Sequence, residues 1–137
     1  MSNSNVNTLE MVRKFHETYG LSVKDTPDLS CEQTKELRIN LLQEELDELK
    51  EALENNDVVE VLDALTDLQY VLDGAYLSLG LHNVKDLAFE EVQRSNMSKL
   101  GADGKPIRRK SDGKVLKGPD YFKPDLTQFI SNKDKAA

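Results

Sequence analysis

The sequence has no tryptophan, one cysteine and only two histidines among its 137 residues. The single Cys31 excludes an internal disulfide, and the isolated His16 and His82 lack the close spacing of zinc-binding histidines. No apolar run is long enough to span a bilayer, and the first residues, "MSNSNVNT", lack the basic and apolar regions of a signal peptide. We therefore expect a cytoplasmic protein without membrane association, built as one domain around an aliphatic core.

Basic residues are almost absent from the acidic middle of the chain. From Glu44 to Asp73, Lys50 is the only base among eleven acids, whereas the segment from Lys99 onward has ten Lys and Arg against five Asp. This asymmetry suits a partner that combines a metal cation with a polyanion, although two complementary surfaces that merely dock would also produce it. No basic stripe is interleaved with aromatic residues, so we do not expect binding to a nucleic acid duplex.

Two helices have sharply marked ends in the sequence. Apolar residues recur at helical spacing from Thr8 to Tyr19, where Gly20 follows as a stop signal. The same periodicity runs from Val58 to Leu79, and Gly80 is placed to end that helix. The patterns predict the first and third helices of the chain.

The second and fourth helices are predicted from capping signals. Ser30, with Gln33 three residues later, is typical of a capping box and predicts a helix that continues to about Glu54. Asn83 is the predicted cap of a fourth helix, which reaches about Leu100.

After Gly101 the helical pattern stops. Two Asp-Gly turn signals predict a short hairpin around "KSDGK", within an ordered basic arm over residues 102–130. The prediction for residues 1–137 is therefore a single all-α domain of four to five helices, with a core at about 8–101 and a basic C-terminal arm.

Three acids stand among the apolar residues on one side of the third helix. At about 100° per residue, Glu60, Asp63 and Asp67 share one arc with Ala64 and Gly74. The wheel assigns the polar residues Thr66, Gln69 and Asp73 to solvent, and assigns to the core the apolar residues Val61, Leu65, Leu68, Leu72 and Ala75. The acids are thus predicted at the edge of the core.

A second acidic pair lies on the second helix, where Glu45 and Glu48 stand against apolar neighbours. The short "NND" connection would make the two helices antiparallel and bring pair to pair. Clustered carboxylates repel one another unless a cation neutralises them, and Mg²⁺ prefers such oxygen ligands. A capping box with Asp57 would explain Glu60 alone, and a solvated face with Lys50 would explain Glu44 and Glu48, but neither explains the whole set.

These two acidic pairs resemble a known family signature. "EELDE" followed by "EVLD" is similar to the ExxE…ExxD motif of the all-α nucleoside triphosphate pyrophosphatases, which include MazG-like proteins, dimeric dUTPases and phosphoribosyl-ATP pyrophosphohydrolases. The helix "EVLDALTDLQYVLDGAYLSLGL" and the segment "FEEVQRSNMSKLGADGKPIRRKSDGKVLKGPDYFKPDL" extend the resemblance to about residues 32–126.

The resemblance implies a MazG-like bundle that forms a homodimer or homotetramer. It also implies Mg²⁺-dependent cleavage, with Mn²⁺ as a substitute, between the α- and β-phosphates of a nucleoside triphosphate. The products would be a nucleoside monophosphate and pyrophosphate, as in housekeeping of the nucleotide pool.

The resemblance also implies roles for particular residues. The implied metal ligands are Glu45, Glu48, Glu60 and Asp63, and the implied catalytic residues are Glu44 and Glu45. Eleven residues separate Glu48 from Glu60, a short gap that makes Asp67 a further candidate ligand. The implied substrate-binding residues are Asn96, Lys99, Lys114 and Lys117.

Three readings of function stay open. The first is a (d)NTP pyrophosphatase, with dUTP, dCTP or an oxidised nucleotide as the open alternatives for its substrate. Its long basic tail is less typical of an enzyme that acts on phosphoribosyl-ATP. The second is a non-catalytic nucleotide- or metal-binding protein on the same fold. The third is a structural helical oligomer whose acids are only solvated.

Overall fold

The computed structural model describes residues 5–136. Residues 1–4, on which the expected absence of a signal peptide partly rests, lie outside the described residues. The chain divides into two compact units, the first ending at Asn83 and the second comprising Val84–Lys135. Among the described residues, no helix combines the length and the apolar character needed to cross a bilayer.

The first unit consists of three helices. They are α1 (Thr8–Tyr19), α2 (Glu32–Glu54) and α3 (Val58–Leu79). Helix α3 packs against both of the others, most extensively against α2. The loop between α2 and α3 is short and turns at Asn56, whose positive φ of 54° is one that asparagine tolerates well. The predicted all-α fold class is confirmed.

The ends of α1 and α3 agree with the sequence prediction because both are set by local bonds. Asp57 accepts a hydrogen bond from the N–H of Glu60 at 3.1 Å and begins α3. Gly80 ends it at φ 72°, where a Cβ atom would lie only 2.0 Å from the carbonyl oxygen of Thr26. Glycine is therefore required at this position both by the backbone conformation and by the space around it.

The predicted caps of the second and fourth helices were wrong. Cys31, not Ser30, precedes α2, because both the N–H and the hydroxyl of Ser30 donate to Asp28 Oδ1. Asn83 donates its side-chain amide to the carbonyl oxygen of Asp25. The fourth helix begins only after a 3₁₀ turn at His82–Val84. In both cases the side chain bonds to a residue outside the helix, Asp28 or Asp25, and therefore does not cap the helix.

The predicted faces of α3 were partly wrong as well. Asp73, assigned to solvent, is only 2% exposed, whereas Leu65 and Leu72, assigned to the core, are 50% and 46% exposed. The polarity of α3 alone did not reveal that α1 lies on the side of Gln69, whose amide is 3.5 Å from the hydroxyl of Thr8. Among the described residues, the buried apolar side chains are Val12, Ala52, Ala64, Ala75 and Leu77, so the prediction for Ala75 is correct.

The second unit combines a helix with a hairpin and a C-terminal arm. Its elements are α4 (Lys85–Met97), β1 (Ile107–Arg108), β2 (Val115–Leu116) and 3₁₀ turns at Thr127–Phe129 and Asp134–Ala136. The strands are antiparallel, with Ile107 opposite Leu116. The turn between them contains Gly113 at φ 76°, so the hairpin predicted from the Asp-Gly signal is confirmed.

Candidate active site

Three carboxylates from two helices converge in the first unit. Carboxylate oxygens of Glu45 and Glu48 on α2 and of Asp67 on α3 all lie within 4.8 Å of one another. Glu45 and Asp67 are half-buried, and Glu48 is exposed. The buried residues Ala52 and Ala64 have small side chains, which permit the close approach of α2 and α3 that this convergence needs.

Two of these acids, Glu45 and Asp67, have raised pKa values. Burial, followed by a hydrogen bond and charge repulsion from Glu48, raises the pKa of Glu45 to about 7, and Asp67 and Asp63 add smaller repulsions. Burial also raises the pKa of Asp67, with repulsion from Asp63 and Glu48. The Oε2 atom of Glu45 is buried and has no hydrogen-bond partner among the described residues. A cation would relieve each of these unfavourable terms.

The second pair of the motif lies beside this cluster. Glu60 and Asp63 are both exposed, and they line a cleft of about 420 Å³ together with Glu48. The other lining residues are Glu51, Ala52, Asn55 and Asp57. The cluster and the cleft thus share Glu48, and all of their residues lie on α2, on α3 or in the short connection between them.

The structure groups the predicted ligands differently from the sequence motif. The tight cluster contains Glu45 and Glu48 but takes its third member, Asp67, from one turn beyond Asp63. Asp63 is still close enough to repel the charges of Glu45 and Asp67. Among the described residues, Glu44 is exposed on α2 and belongs neither to the cluster nor to the lining of the cleft.

A buried polar layer joins the three helices and was missed in the sequence. His16 of α1 and Arg38 of α2 are both buried against Gly74 of α3, where a Cβ atom would lie 2.7 Å from Arg38 Nη1 and 3.0 Å from His16 Nε2. His16 Nδ1 lies 3.0 Å from the carbonyl oxygen of Ser22. Burial lowers the pKa of His16, and the charge of Arg38 lowers it further. The one signal in the sequence was a glycine inside a long helix, which often marks a close contact.

The predicted substrate-binding residues belong to the second unit. Asn96 and Lys99 line a cleft of about 380 Å³ with Met97, Leu100 and Val115. Lys117 lies outside that lining, and its ammonium group stands 4.9 Å from the ring centre of Tyr121. Lys114 follows the hairpin turn and donates its N–H to Asp112. The structure thus brings two of the four predicted residues to one cleft.

The comparison with protein-family models agrees with the motif. The family model described as phosphoribosyl-ATP pyrophosphohydrolase matches residues 12–96, well over half of the chain. No curated protein matched the sequence. Among solved structures, one from Exiguobacterium sp. 255-15, described as a candidate NTP pyrophosphohydrolase, is 25% identical and aligns over 88% of this chain and 90% of its own. Its TM-score of 0.34 is too low to support an inference. By its family match, the chain belongs to the phosphoribosyl-ATP pyrophosphohydrolase family.

Proposed function

We propose that the protein is a divalent-metal-dependent pyrophosphohydrolase that acts on a (d)NTP. It would cleave the α–β phosphoanhydride and release a nucleoside monophosphate and pyrophosphate, which would remove unwanted nucleotides from the pool. The observation that carries this proposal is the convergence of Glu45, Glu48 and Asp67 within 4.8 Å. Such a cluster destabilises the fold when its charges are unpaired, and metal binding in a pyrophosphohydrolase would explain why it is present.

The donor atoms suit a hard cation. All are carboxylate oxygens, which Mg²⁺ and Mn²⁺ prefer, and the buried Oε2 of Glu45 offers an uncommitted lone pair. Glu45, Glu48 and Asp67 would hold the metal, and Glu60 and Asp63 would complete the ligand set from the adjoining cleft. This extends the set expected from the motif by Asp67.

The chemistry then follows from the charges. When bound, Mg²⁺ would acidify water and neutralise developing charge on phosphate oxygens. Glu44, which precedes Glu45 on α2, would orient the attacking water. A carboxylate oxygen that the metal leaves free can take the proton of the attacking water, and we assign this role to Glu45, whose carboxylate has two oxygens. The amide of Asn96 and the ammonium groups of Lys99, Lys114 and Lys117 would bind sugar and phosphate oxygens.

Pyrophosphate release provides the direct test. The protein would be incubated with dUTP, dCTP, an oxidised dNTP and phosphoribosyl-ATP, each with Mg²⁺, with Mn²⁺ and with a chelator. We expect metal-dependent release from at least one substrate. Glu48→Gln and Asp67→Asn should each lower kcat/KM by about 100-fold or more, as loss of a metal-supporting group does. Glu36→Gln, which alters an exposed acid on the same helix as Glu48, is the matched control.

Other outcomes of this assay would change the conclusion. Tight nucleotide binding without pyrophosphate release would favour a non-catalytic nucleotide-binding protein. Full activity in Asp67→Asn would remove Asp67 from the ligand set. Calorimetry that detects no Mg²⁺ binding would favour a purely structural helical protein.

Phosphoribosyl-ATP is the second candidate substrate, and the description of the matching family favours it. Its cleavage breaks the same type of phosphoanhydride bond, so the carboxylates would have the same roles in binding metal and activating water. The two candidates separate in the substrate panel, because the preferred one should have a kcat/KM at least about tenfold above the other, a difference of about 1.4 kcal/mol in transition-state binding.

We also propose that the protein is a homodimer or homotetramer. Ile39, Leu46 and Leu53 recur at seven-residue spacing on α2, and each is exposed by half or more. An apolar stripe with this repeat is typical of a helix that packs against another helix. Light scattering coupled to gel filtration gives the mass directly, and Leu46→Glu should reduce it. A monomeric wild-type protein at micromolar concentration would contradict this proposal.

A further inference from the structure

The second unit contains a buried carboxylate that the proposed chemistry does not use. Glu91 of α4 is only 6% exposed. Its Oε1 accepts a hydrogen bond from Arg94 Nε at 2.7 Å, and its Oε2 accepts from Arg94 Nη2 at 3.1 Å. The same Oε2 also accepts from the N–H of Asp125 at 2.9 Å and from Gln128 Nε2 at 3.3 Å. One side chain of the helix therefore binds two residues of the C-terminal arm.

Neighbouring residues of α4 hold the same part of the arm at Phe122. The guanidinium carbon of Arg94 lies 4.3 Å from the ring centre of Phe122, a cation–π distance. The hydroxyl of Ser95 donates to the carbonyl oxygen of Phe122 at 2.8 Å, and Ser98 Oγ accepts from its N–H at 3.2 Å. These contacts lie on one face of α4, since residues three or four apart are neighbours on a helix.

The anchored segment is continuous with the wall of the cleft that contains Asn96 and Lys99. Gly118 lies against the segment that follows α4, where a Cβ atom would lie 1.9 Å from the carbonyl oxygen of Leu100 and 2.8 Å from that of Lys99. Just before it, Val115 of β2 lines the cleft. Only a few residues separate Val115, which lines the cleft, from Phe122, which is bonded to Ser95 and Ser98. Loss of the contacts that hold the arm should therefore also make this side of the cleft more mobile.

We propose that Glu91 is a positioning residue that clamps the arm onto α4 and thereby holds this cleft in the shape that binds the triphosphate substrate. The substrate part of the proposal rests on the proposed function. Glutamine is nearly the same size as glutamate but has a single acceptor oxygen and brings an NH₂ group among donors. Glu91→Gln should therefore break the clamp without leaving a cavity.

Two measurements would separate the clamp from its effect on the substrate. Hydrogen exchange of residues 107–128 reports whether the arm is released, independently of any activity. Steady-state kinetics report whether the release matters, because a loosened binding cleft should raise KM, whereas the carboxylates of the first unit still set kcat. Glu90→Gln, at the exposed neighbouring position on α4, is the matched control.

We expect Glu91→Gln to speed exchange in residues 107–128 by about tenfold or more, as loss of charge-assisted hydrogen bonds does, and to leave α1–α3 unchanged. KM should rise by about tenfold, with kcat within about twofold of wild type. Ser95→Ala, which removes only the bond to Phe122, should move exchange and KM in the same direction by a smaller factor. It also serves as the test if Glu91→Gln does not fold.

Unchanged exchange in the arm of both variants would overturn the clamp. Faster exchange with an unchanged KM, or a fall in kcat alone, would overturn its role in substrate binding. If the wild-type protein releases no pyrophosphate, the proposed function fails. The positioning role would then be decided by the Kd of α,β-imido-dUTP, which should rise by about tenfold in Glu91→Gln and not in Glu90→Gln.

Discussion

Replacing Glu45 with glutamine should stabilise the metal-free protein and abolish its stabilisation by Mg²⁺. The carboxyl group of Glu45 has its pKa raised from 4.5 to about 7, chiefly by burial and by Glu48. At about 1.4 kcal/mol per pKa unit, the ionised form costs about 3 kcal/mol of folding free energy at pH 8. Because water reaches part of the cluster and screens its charges, we expect about half of this, roughly 1–2 kcal/mol. Glutamine removes that cost.

The dependence on pH gives the prediction its sign. An acid whose pKa is higher in the folded state binds more protons when folded, so its stabilising contribution is complete below 4.5 and is lost as the pH rises through about 7. Metal-free wild-type protein should therefore lose stability across this window through Glu45. The Glu45→Gln variant should lack that component, and the two proteins should differ most at pH 8.

The assay is thermal unfolding at pH 5, 6, 7 and 8, with and without about 10 mM Mg²⁺. Without metal at pH 8, Glu45→Gln should melt about 3–8 °C above wild type. Mg²⁺ at about 100 times its Kd should stabilise wild type by about 2.7 kcal/mol and the variant by much less. Glu36→Gln should behave as wild type in every condition. A variant that melts below wild type without metal at pH 8, or that gains as much from Mg²⁺, would refute the reasoning.

Two further predictions concern the frame of the first unit. Gly80→Ala should destabilise the protein by about 3 kcal/mol or more, because the Cβ atom would collide with the backbone oxygen of Thr26. Gly20→Ala should cost only about 1–2 kcal/mol, because Gly20 has a similar φ but no atom within 4 Å of the added Cβ. Urea unfolding measures both changes, and equal midpoints for the two variants would contradict this prediction. His16 has its pKa lowered below 6.5 by burial, so the unfolded state binds more protons below that pH and stability should fall as the pH drops through 6.5. Measured in a Glu45→Gln background, this fall should disappear in His16→Asn, and its persistence there would assign it to another group.

Several features of the fold followed from the sequence because they depend on local bonds. The limits of α1 and α3 were predictable, since Asn7 and Asp57 cap the starts and Gly20 and Gly80 stop the ends within a few residues. The Asp-Gly turn predicted the hairpin for the same reason. Where two local partners competed, the prediction failed, as at Ser30, whose donors both go to Asp28.

The sequence by itself determined the all-α class and the family and predicted the candidate acids, because helical period and the spacing of carboxylates can be read along one chain. Only the tertiary structure decided which acids meet. A helical wheel gives the face on which Asp67 lies, but which turn of α2 stands opposite that face depends on how α2 and α3 pack against each other. The same holds for Asp73, buried although its own helix assigns it to solvent, and for Glu91, whose partners Asp125 and Gln128 lie more than thirty residues along the chain. Such contacts depend on packing between distant segments, which no short window of sequence records.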